Sequence, residues 1–233
     1  LEQSKTNKYR TQRIANPLDL DPKKSDPKVV YRLLQACVVP RPIAWVTSLS
    51  MEGVANLAPF SFFMAHCSSP PIISISTGHR EGKEKDTRKN ILETKEFVVY
   101  LVTEELLTPV LISAQDYGPT VSEIEEAELT CVPSDAVAPP RIAESPIQLE
   151  CRLRESVFFT DTEPGWAVLF GEIVRFHITD KFIDGDYVAK DFAPIGRFHG
   201  PFYCRTTDRI NKNETWSGFM EALQEPNNPK KKE

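Results

Sequence analysis

The residues best suited to chemistry lie between a predicted buried strand that ends at Thr77 and a helix predicted to begin near Asp86. This stretch, STGHREGKEKDTRKNIL, combines several basic side chains with two glycines that permit tight turns. A helix N-terminus offers free backbone N–H groups and a partial positive charge. Together with the Lys85 ammonium and the Thr87 hydroxyl, it predicts a phosphate site. The alternative is a solvated charged loop in which Asp86 only caps the helix.

A second group of polar residues surrounds a predicted hairpin, RPIAWVTSLSMEGVANLAPFSFF, at residues 41–63. Thr47 and Ser48 can offer hydroxyls and amides at the end of one strand, and Asn56 can hydrogen-bond the edge of a planar heterocycle. Pro59 cannot donate to a strand ladder, so its strand is predicted to be bulged or at a sheet edge, with backbone groups left for a ligand. The alternative is a capped hairpin whose proline only discourages edge pairing.

Other kinds of site find little support in the motifs. Only three residues separate Gly78 from Gly82, too few for a P-loop, and Glu84 stands where a P-loop has Ser or Thr. No GxGxxG follows a predicted strand, and neither HExxH nor GxSxG occurs. The four histidines lack the spacing of metal ligands. We therefore expect neither an ATPase nor a metal site.

Composition limits the partners and the compartment. The 233 residues carry a formal net charge of −5, and this negative charge does not favour binding to nucleic acid or to an anionic membrane. No apolar run approaches the roughly 20 residues that cross a bilayer. Five widely spaced cysteines without a CxxC pair favour reduced thiols. The sequence thus predicts a cytoplasmic protein that binds neither nucleic acid nor membrane.

The elements that would position these groups are mainly strands. Alternating or continuous apolar patterns predict strands at 43–49, 54–63, 70–77, 96–103, 147–159, 166–179 and near 200–206. Helical patterns are shorter and are predicted at 25–37, 86–94, 104–115 and 122–129. Strands at this spacing, with short helices between some of them, predict a mainly antiparallel barrel.

The same pass along the chain predicts a single domain. A polar N-terminal arm at 1–24 precedes the domain at 25–207, and a charged C-terminal tail follows at 208–233. A proline-rich connection lies within the domain at 133–146, but no linker is long enough to separate two independent domains. We also find no internal repeat.

Four sets of motifs occur in the order RPIAWVTS, NLAPFSFF, KDTRKNI with EFVVYLV, and PIGRFHGPFY. Together they resemble the flavin reductase-like family of FMN-binding split-barrel proteins, which includes flavoredoxin-type proteins. The resemblance runs from about Val38 to Tyr203, most of the chain. It implies an antiparallel six-stranded split β-barrel with short peripheral helices, a homodimer, and FMN held near the subunit interface.

The resemblance also implies which residues hold the cofactor. The WVTS and NLAPFS strands would surround the flavin ring and ribityl chain, whereas the end of the next strand and the KDT turn would serve the phosphate. In this sequence these segments supply Trp45, Val46, Thr47, Ser48, Asn56, Leu57, Ala58, Ser61, Ser76, Thr77, Lys85, Asp86 and Thr87. No catalytic residue is assigned, although His199 in the GRFHG segment is a candidate. A lone histidine is more often structural or merely exposed.

The activity implied is that of an FMN-dependent oxidoreductase. Hydride would pass from NAD(P)H to the flavin, and the electrons would continue to an acceptor that the sequence does not identify. The alternative is an FMN-binding electron carrier or sensor without its own NAD(P)H turnover. Relatives that use this barrel for haem or a deazaflavin fit the KDT and NLAPFS segments less well.

Overall fold

The computed structural model describes most of the chain as two compact units, Leu1–Val38 and Val39–Glu233. The residues described are 18–80, 82–118, 120–159, 165–185, 187–188 and 191–210. Most of the predicted arm, through residue 17, and the predicted tail from residue 211 lie outside them. The predicted domain boundaries therefore stay predictions.

The first unit contains a short 3-10 turn at Pro22–Lys24 and helix α1 at Pro27–Cys37. Asp26 is the N-cap of α1, and its side chain accepts a hydrogen bond from the backbone N–H of Lys28. Pro27 occupies the first turn, where its missing N–H costs nothing. The helix predicted at 25–37 is therefore present, and it begins at Pro27.

The second unit is built around a seven-stranded antiparallel sheet. Its strands are β1 (Ala44–Leu49), β2 (Ala55–Phe60), β3 (Phe63–Ser68), β4 (Pro71–Thr77), β5 (Glu96–Leu101), β6 (Ile147–Phe159) and β7 (Trp166–Ile178). The order across the sheet is β2-β1-β5-β6-β7-β4-β3. This mainly antiparallel arrangement confirms the predicted fold class.

The sheet closes into a barrel because its two end strands are neighbours in the chain. Only Ser61 and Phe62 separate β2 from β3, and so short a link spans only about 3.3–3.6 Å per residue. The two edges must therefore approach each other, and Ser76 N–H donates to the Phe62 carbonyl oxygen at 2.8 Å, which extends the β3–β4 ladder into this link. Counted as one bent strand, β2 and β3 give the six strands predicted. The structure has seven because the ladder breaks at this link.

Short elements fill the connections of the second unit. Its helices are α2 (Asp86–Thr94), α3 (Leu107–Ser113) and α4 (Glu123–Glu126), with 3-10 turns at Glu104–Leu106 and Asp180–Phe182. Two-stranded ribbons pair His79–Arg80 with Lys83–Glu84, Cys131–Val132 with Arg141–Ile142, Ile183–Asp184 with Tyr187–Val188, and Ile195–Arg197 with Tyr203–Arg205. Within the described residues, no helix combines the length and the apolar character needed to cross a membrane.

Strand β1 is buried on both faces and separates two apolar clusters. Ala44 and Val46 point into the first cluster, with Phe97. Trp45 lies in the second cluster, where its ring meets Tyr100 edge-on at a centroid distance of 6.0 Å. Because neighbouring side chains of a strand point to opposite faces, both faces of β1 contribute to the core.

A buried carboxylate holds the proline-rich connection, 133–146, against the barrel. Glu150 is fully buried, and its Oε1 accepts from the backbone N–H of Asp135 at 2.9 Å and from His177 Nε2 at 2.7 Å. Its Oε2 accepts from the backbone N–H of Ala136 at 2.6 Å. Burial raises the pKa of Glu150, but these hydrogen bonds outweigh it, so the pKa lies below the usual value for glutamate.

The same cluster has the residue types of a metal site, since Asp135, Glu150 and His177 bring their ligand atoms within 4.8 Å of one another. Two guanidinium groups already balance its negative charge. Arg141 Nε lies 3.6 Å from Glu150 Oε1, and Arg175 Nε lies 4.0 Å from Asp135 Oδ2. Because the buried carboxylate is also saturated with hydrogen bonds, we interpret this cluster as a structural anchor.

Candidate functional site

A cavity of about 720 Å³ opens beside the free edge of β2. Its walls come from β2, from the segment that leads into α2, and from the chain between α3 and α4. The lining residues are Asn56, Ala58, Pro59, Lys83, Glu84, Lys85, Asp86, Thr87, Ser113, Ala114, Gln115, Asp116, Tyr117, Gly118 and Glu123. The cavity thus brings together five of the predicted cofactor residues, from both predicted groups: Asn56, Ala58, Lys85, Asp86 and Thr87.

The edge of β2 is open toward this cavity because β2 ends the sheet order. Leu57 N–H donates to Glu123 Oε2 at 2.9 Å, so the backbone of this residue points away from β1. In an antiparallel ladder alternate residues point the same way, and Pro59 therefore turns its backbone outward as well. Its missing N–H leaves no orphaned donor at the cavity wall. The predicted edge position of this proline is confirmed.

A buried chain of hydrogen bonds joins three elements at the cavity wall. Asn56 Nδ2 donates to Glu123 Oε1 at 2.8 Å, and Thr87 Oγ1 donates to Asn56 Oδ1 at 2.8 Å. Asn56, Glu123 and Thr87 are 8%, 9% and 1% exposed, respectively, so little water competes for these bonds. A hydroxyl has one proton, and Thr87 uses it within the protein.

The N-terminus of α2 faces the cavity without a side-chain cap from its N-cap residue. That residue is Lys85, whose side chain makes no capping hydrogen bond, and Asp86 is the first residue of the helix. The alternative in which Asp86 serves as the N-cap is therefore not what the structure shows. The Lys85 ammonium lies 5.1 Å from the centroid of the Phe60 ring. The helix dipole and this cation favour an anion here.

The charges around this N-terminus are partly balanced. Glu84 Oε1 lies 2.8 Å from Arg88 Nε, one turn into α2, so its charge is paired with a guanidinium. Lys83 also lines the cavity, close in sequence to Lys85. Two ammonium groups therefore lie beside the uncapped end of α2, where a phosphate was predicted.

Four other predicted residues have their side chains in the core. Trp45, Val46, Thr47 and Leu57 are each fully buried. Trp45 Nε1 donates to Ser113 Oγ at 2.8 Å and so supports a residue that lines the cavity. The Thr47 hydroxyl is hydrogen-bonded to that of Tyr100, whose pKa is raised by burial.

The remaining hydroxyl residues lie away from the cavity lining. Ser48 Oγ accepts from Asn90 Nδ2 at 3.1 Å, which ties β1 to α2. Ser61, in the link between β2 and β3, accepts at its Oγ from Arg41 Nε at 3.4 Å. Ser76 N–H donates to the carbonyl oxygen of Phe62 in the same link, as described above. Thr77, the last residue of β4, is fully buried, and its hydroxyl has no hydrogen-bond partner among the described residues.

His199 is exposed and does not line the cavity. Its ring lies between two aromatic neighbours, with centroid distances of 5.6 Å to both Phe198 and Phe202. The structure therefore does not bring this candidate together with Asn56 or Lys85.

Sequence reasoning missed two features of the cavity wall. Glu123 lies in a segment that the sequence marked only as a short acidic helix, and no motif distinguishes it from its acidic neighbours. The chain from Ser113 to Gly118 supplies a whole wall, although its sequence, SAQDYG, matches no binding motif. Both became visible only through contacts distant in sequence.

Comparisons with known proteins identify the family of this chain and solved structures with a similar fold. Residues 36–195 match the family model described as flavin reductase like domain. An uncharacterized protein of Aquifex aeolicus is 39% identical over 186 residues, which cover 78% of this chain and 93% of that protein. Nitrilotriacetate monooxygenase component B from Bacillus cereus has a TM-score of 0.81 at 33% identity, covering 85% of this chain and 100% of that one. 2-Nitrobenzoate 2-nitroreductase NbaA from Pseudomonas fluorescens has a TM-score of 0.73 at 35% identity, covering 83% of this chain and 94% of that one.

Proposed function

We propose that this chain, which belongs to the flavin reductase-like domain family, is an oxidoreductase that binds FMN and is reduced by NAD(P)H. The observation that carries the proposal is the cavity in which the open edge of β2 meets the uncapped, lysine-flanked N-terminus of α2. One wall suits a planar heterocycle and the other suits a phosphate. The two redox enzymes described above, at 33% and 35% identity, support an oxidoreductase.

The residues present fit FMN on physical grounds. A volume of about 720 Å³ lies within the range of small-molecule sites. The first-turn amides of α2 and the Lys85 ammonium would hold the phosphate, and the outward backbone of β2 near Pro59 would lie along the ring. When bound, FMN supplies a ring that accepts a hydride and passes electrons on.

The protein's own contribution would be binding, orientation and exclusion of water. Ser113, held by the buried Trp45, fixes the wall opposite α2. The buried bonds among Asn56, Thr87 and Glu123 keep the inner wall rigid. None of these roles requires an acid or base to move a proton, which agrees with the exposed position of His199.

Rapid mixing tests this function directly. We expect the FMN-loaded protein, mixed with NADH or NADPH without oxygen, to lose its visible flavin absorbance in a single turnover. An electron carrier or sensor would stay oxidised with both nucleotides while reacting with dithionite, and that outcome would favour the alternative function. Protein that retains no flavin after incubation with FMN would contradict the cofactor itself.

We also propose that the protein is a homodimer. Strand β3 has a free edge within the described residues, and exposed sheet edges invite pairing. Apolar side chains are also exposed around this part of the barrel, with Met64 59% and Phe159 58% exposed, and the Trp166 ring stacks on Phe62 at 5.6 Å. A second copy would cover this surface.

Light scattering at micromolar concentration is expected to give twice the mass of one chain. Phe159→Glu should shift the equilibrium toward monomer, because a charge at the centre of an apolar interface loses its water. Leu111→Glu, at an exposed apolar position on α3, is the matched control and should leave the mass unchanged. A stable FMN-loaded monomer of the wild-type chain would show that the cofactor site does not need a partner.

A further inference from the structure

We propose that Glu123 is a positioning residue that fixes the direction of the hydrogen bonds in the flavin cavity wall. The proposal rests on the proposed function, because it concerns how the same cavity meets its ligand. Glu123 belongs to no motif, yet it is 9% exposed and lines the cavity from α4, a helix of four residues.

The carboxylate of Glu123 is matched to two donors. Oε1 accepts from Asn56 Nδ2 at 2.8 Å, and Oε2 accepts from the backbone N–H of Leu57 at 2.9 Å. An ionised carboxylate can only accept hydrogen bonds. The amide of Asn56 is therefore forced to turn its NH₂ group toward α4 and its oxygen toward α2.

The fixed amide in turn fixes the Thr87 hydroxyl. The group that Asn56 presents toward Thr87 is its carbonyl oxygen, so the hydroxyl must donate to it, as the 2.8 Å contact shows. The single proton of Thr87 is then unavailable to a ligand. The phosphate is left to the amides of α2 and to Lys85, although Thr87 lies in the same turn.

Glu123 also separates two cavities. A smaller cavity of about 50 Å³ lies behind the wall, and both Asn56 and Glu123 line it as well as the main cavity. Their hydrogen bond is part of the partition between the two spaces. The Leu57 N–H beside it would otherwise be an unpaired donor on the edge of β2.

Exchanging the carboxylate and the amide between positions 123 and 56 tests this direction of hydrogen bonding. Glu123→Gln removes the constraint on Asn56, because an NH₂ group on α4 lets that amide reverse and donate to the Thr87 hydroxyl, whereas Asn56→Asp turns a carboxylate toward that of Glu123. The double variant, Asn56→Asp with Glu123→Gln, restores every donor–acceptor match. The amide introduced on α4 would donate to the carboxylate introduced on β2, Thr87 would still donate to that carboxylate, and Leu57 N–H would still have an acceptor. The net charge of the pair is also unchanged.

We expect Asn56→Asp to weaken FMN binding about tenfold or more, as for a buried charge without a partner, Glu123→Gln to weaken it less because its hydrogen bonds can reverse, and the double variant to recover most of both losses. Fluorescence titration measures the affinity, and thermal unfolding of the flavin-free protein measures the fold. Glu126→Gln, exposed on the same helix, is the matched control and should bind FMN like the wild type.

The two readouts distinguish the possible failures. If the double variant recovers its unfolding temperature but still binds FMN as poorly as Asn56→Asp, the direction of these hydrogen bonds does not govern FMN binding and the positioning role is overturned. Equal FMN affinity in all four forms would overturn it too, with flavin binding left intact. If the wild-type chain binds no FMN, the proposed function fails first, and the role assigned to Glu123 fails with it.

Discussion

Replacing Glu150 with alanine is expected to lower the free energy of unfolding by about 3–5 kcal/mol, as when one partner of a buried charge pair is removed. The carboxylate is fully buried and accepts from two backbone N–H groups and from His177. Its loss would leave these donors without an acceptor and the nearby Arg141 without its counter-charge. Urea unfolding at neutral pH measures the difference.

Two comparisons test whether the loss of the buried carboxylate causes the loss of stability. Glu155→Ala, an exposed position on the same strand, should change stability by less than about 0.5 kcal/mol, as for ordinary surface positions. The affinity of Glu150→Ala for FMN should stay close to that of the wild type wherever the variant is folded, because Glu150 does not line the cavity. A stability loss well below that range, under about 1 kcal/mol, would show that water replaces the carboxylate at little cost.

Acid should remove the same stabilisation in the wild-type protein. The folded-state pKa of Glu150 lies below the ordinary value of about 4.3. Its contribution is therefore fully present above that value and is lost as the pH falls through the folded-state pKa. The unfolding free energy of the wild type should fall in this acid range, and Glu150→Gln should lack that part of the fall.

The barrel could be predicted from the sequence where a strand carries a long apolar pattern. β6 and β7 are 13 residues long each, and both were predicted to within one residue, although β6 is buried over its first five residues and mostly exposed after them. β3 could not be predicted, because five of its six residues are exposed and a strand without a buried face has no apolar alternation. The break at Ser61 and Phe62 was likewise hidden inside a continuous apolar run.

The cavity was predictable where its chemistry is local in the chain. Lys85, Asp86 and Thr87 are consecutive and span the start of a helix, so their meeting at its N-terminus follows from the sequence. Glu123 reaches Asn56 across 67 residues, and nothing in an acidic tetrapeptide indicates which carboxylate turns inward. Only the folded structure shows that Glu123 is the carboxylate that turns inward.

The side chains of β1 show a second reason why site residues could not be predicted from the sequence. Periodicity places Trp45 and Thr47 on one face and Val46 on the other, but a strand buried on both faces gives no sign of which one meets a ligand. In the structure neither face lines the cavity directly. Trp45 does not line the cavity, but its Nε1 donates a hydrogen bond to Ser113, which does.

Lys85→Ala is expected to weaken FMN binding by roughly 1.5–3 kcal/mol, the range for a hydrogen bond to a charged group, or about ten- to a hundredfold. Since Thr87 donates its proton to Asn56, the proposed phosphate site would depend on the lysine and the α2 amides. Riboflavin has no phosphate, so its affinity should change little. The wild-type preference for FMN over riboflavin should largely disappear in fluorescence titrations of the two flavins.

Lys89→Ala is the matched control, because Lys89 is exposed one turn further along α2 and does not line the main cavity. It should bind FMN within about 0.5 kcal/mol of the wild type. Lys83→Ala should fall between the two, since Lys83 shares the cavity wall. Added salt should reduce the Lys85 effect if the phosphate stays open to solvent. Equal wild-type affinities for FMN and riboflavin would show that no phosphate binds at the N-terminus of α2.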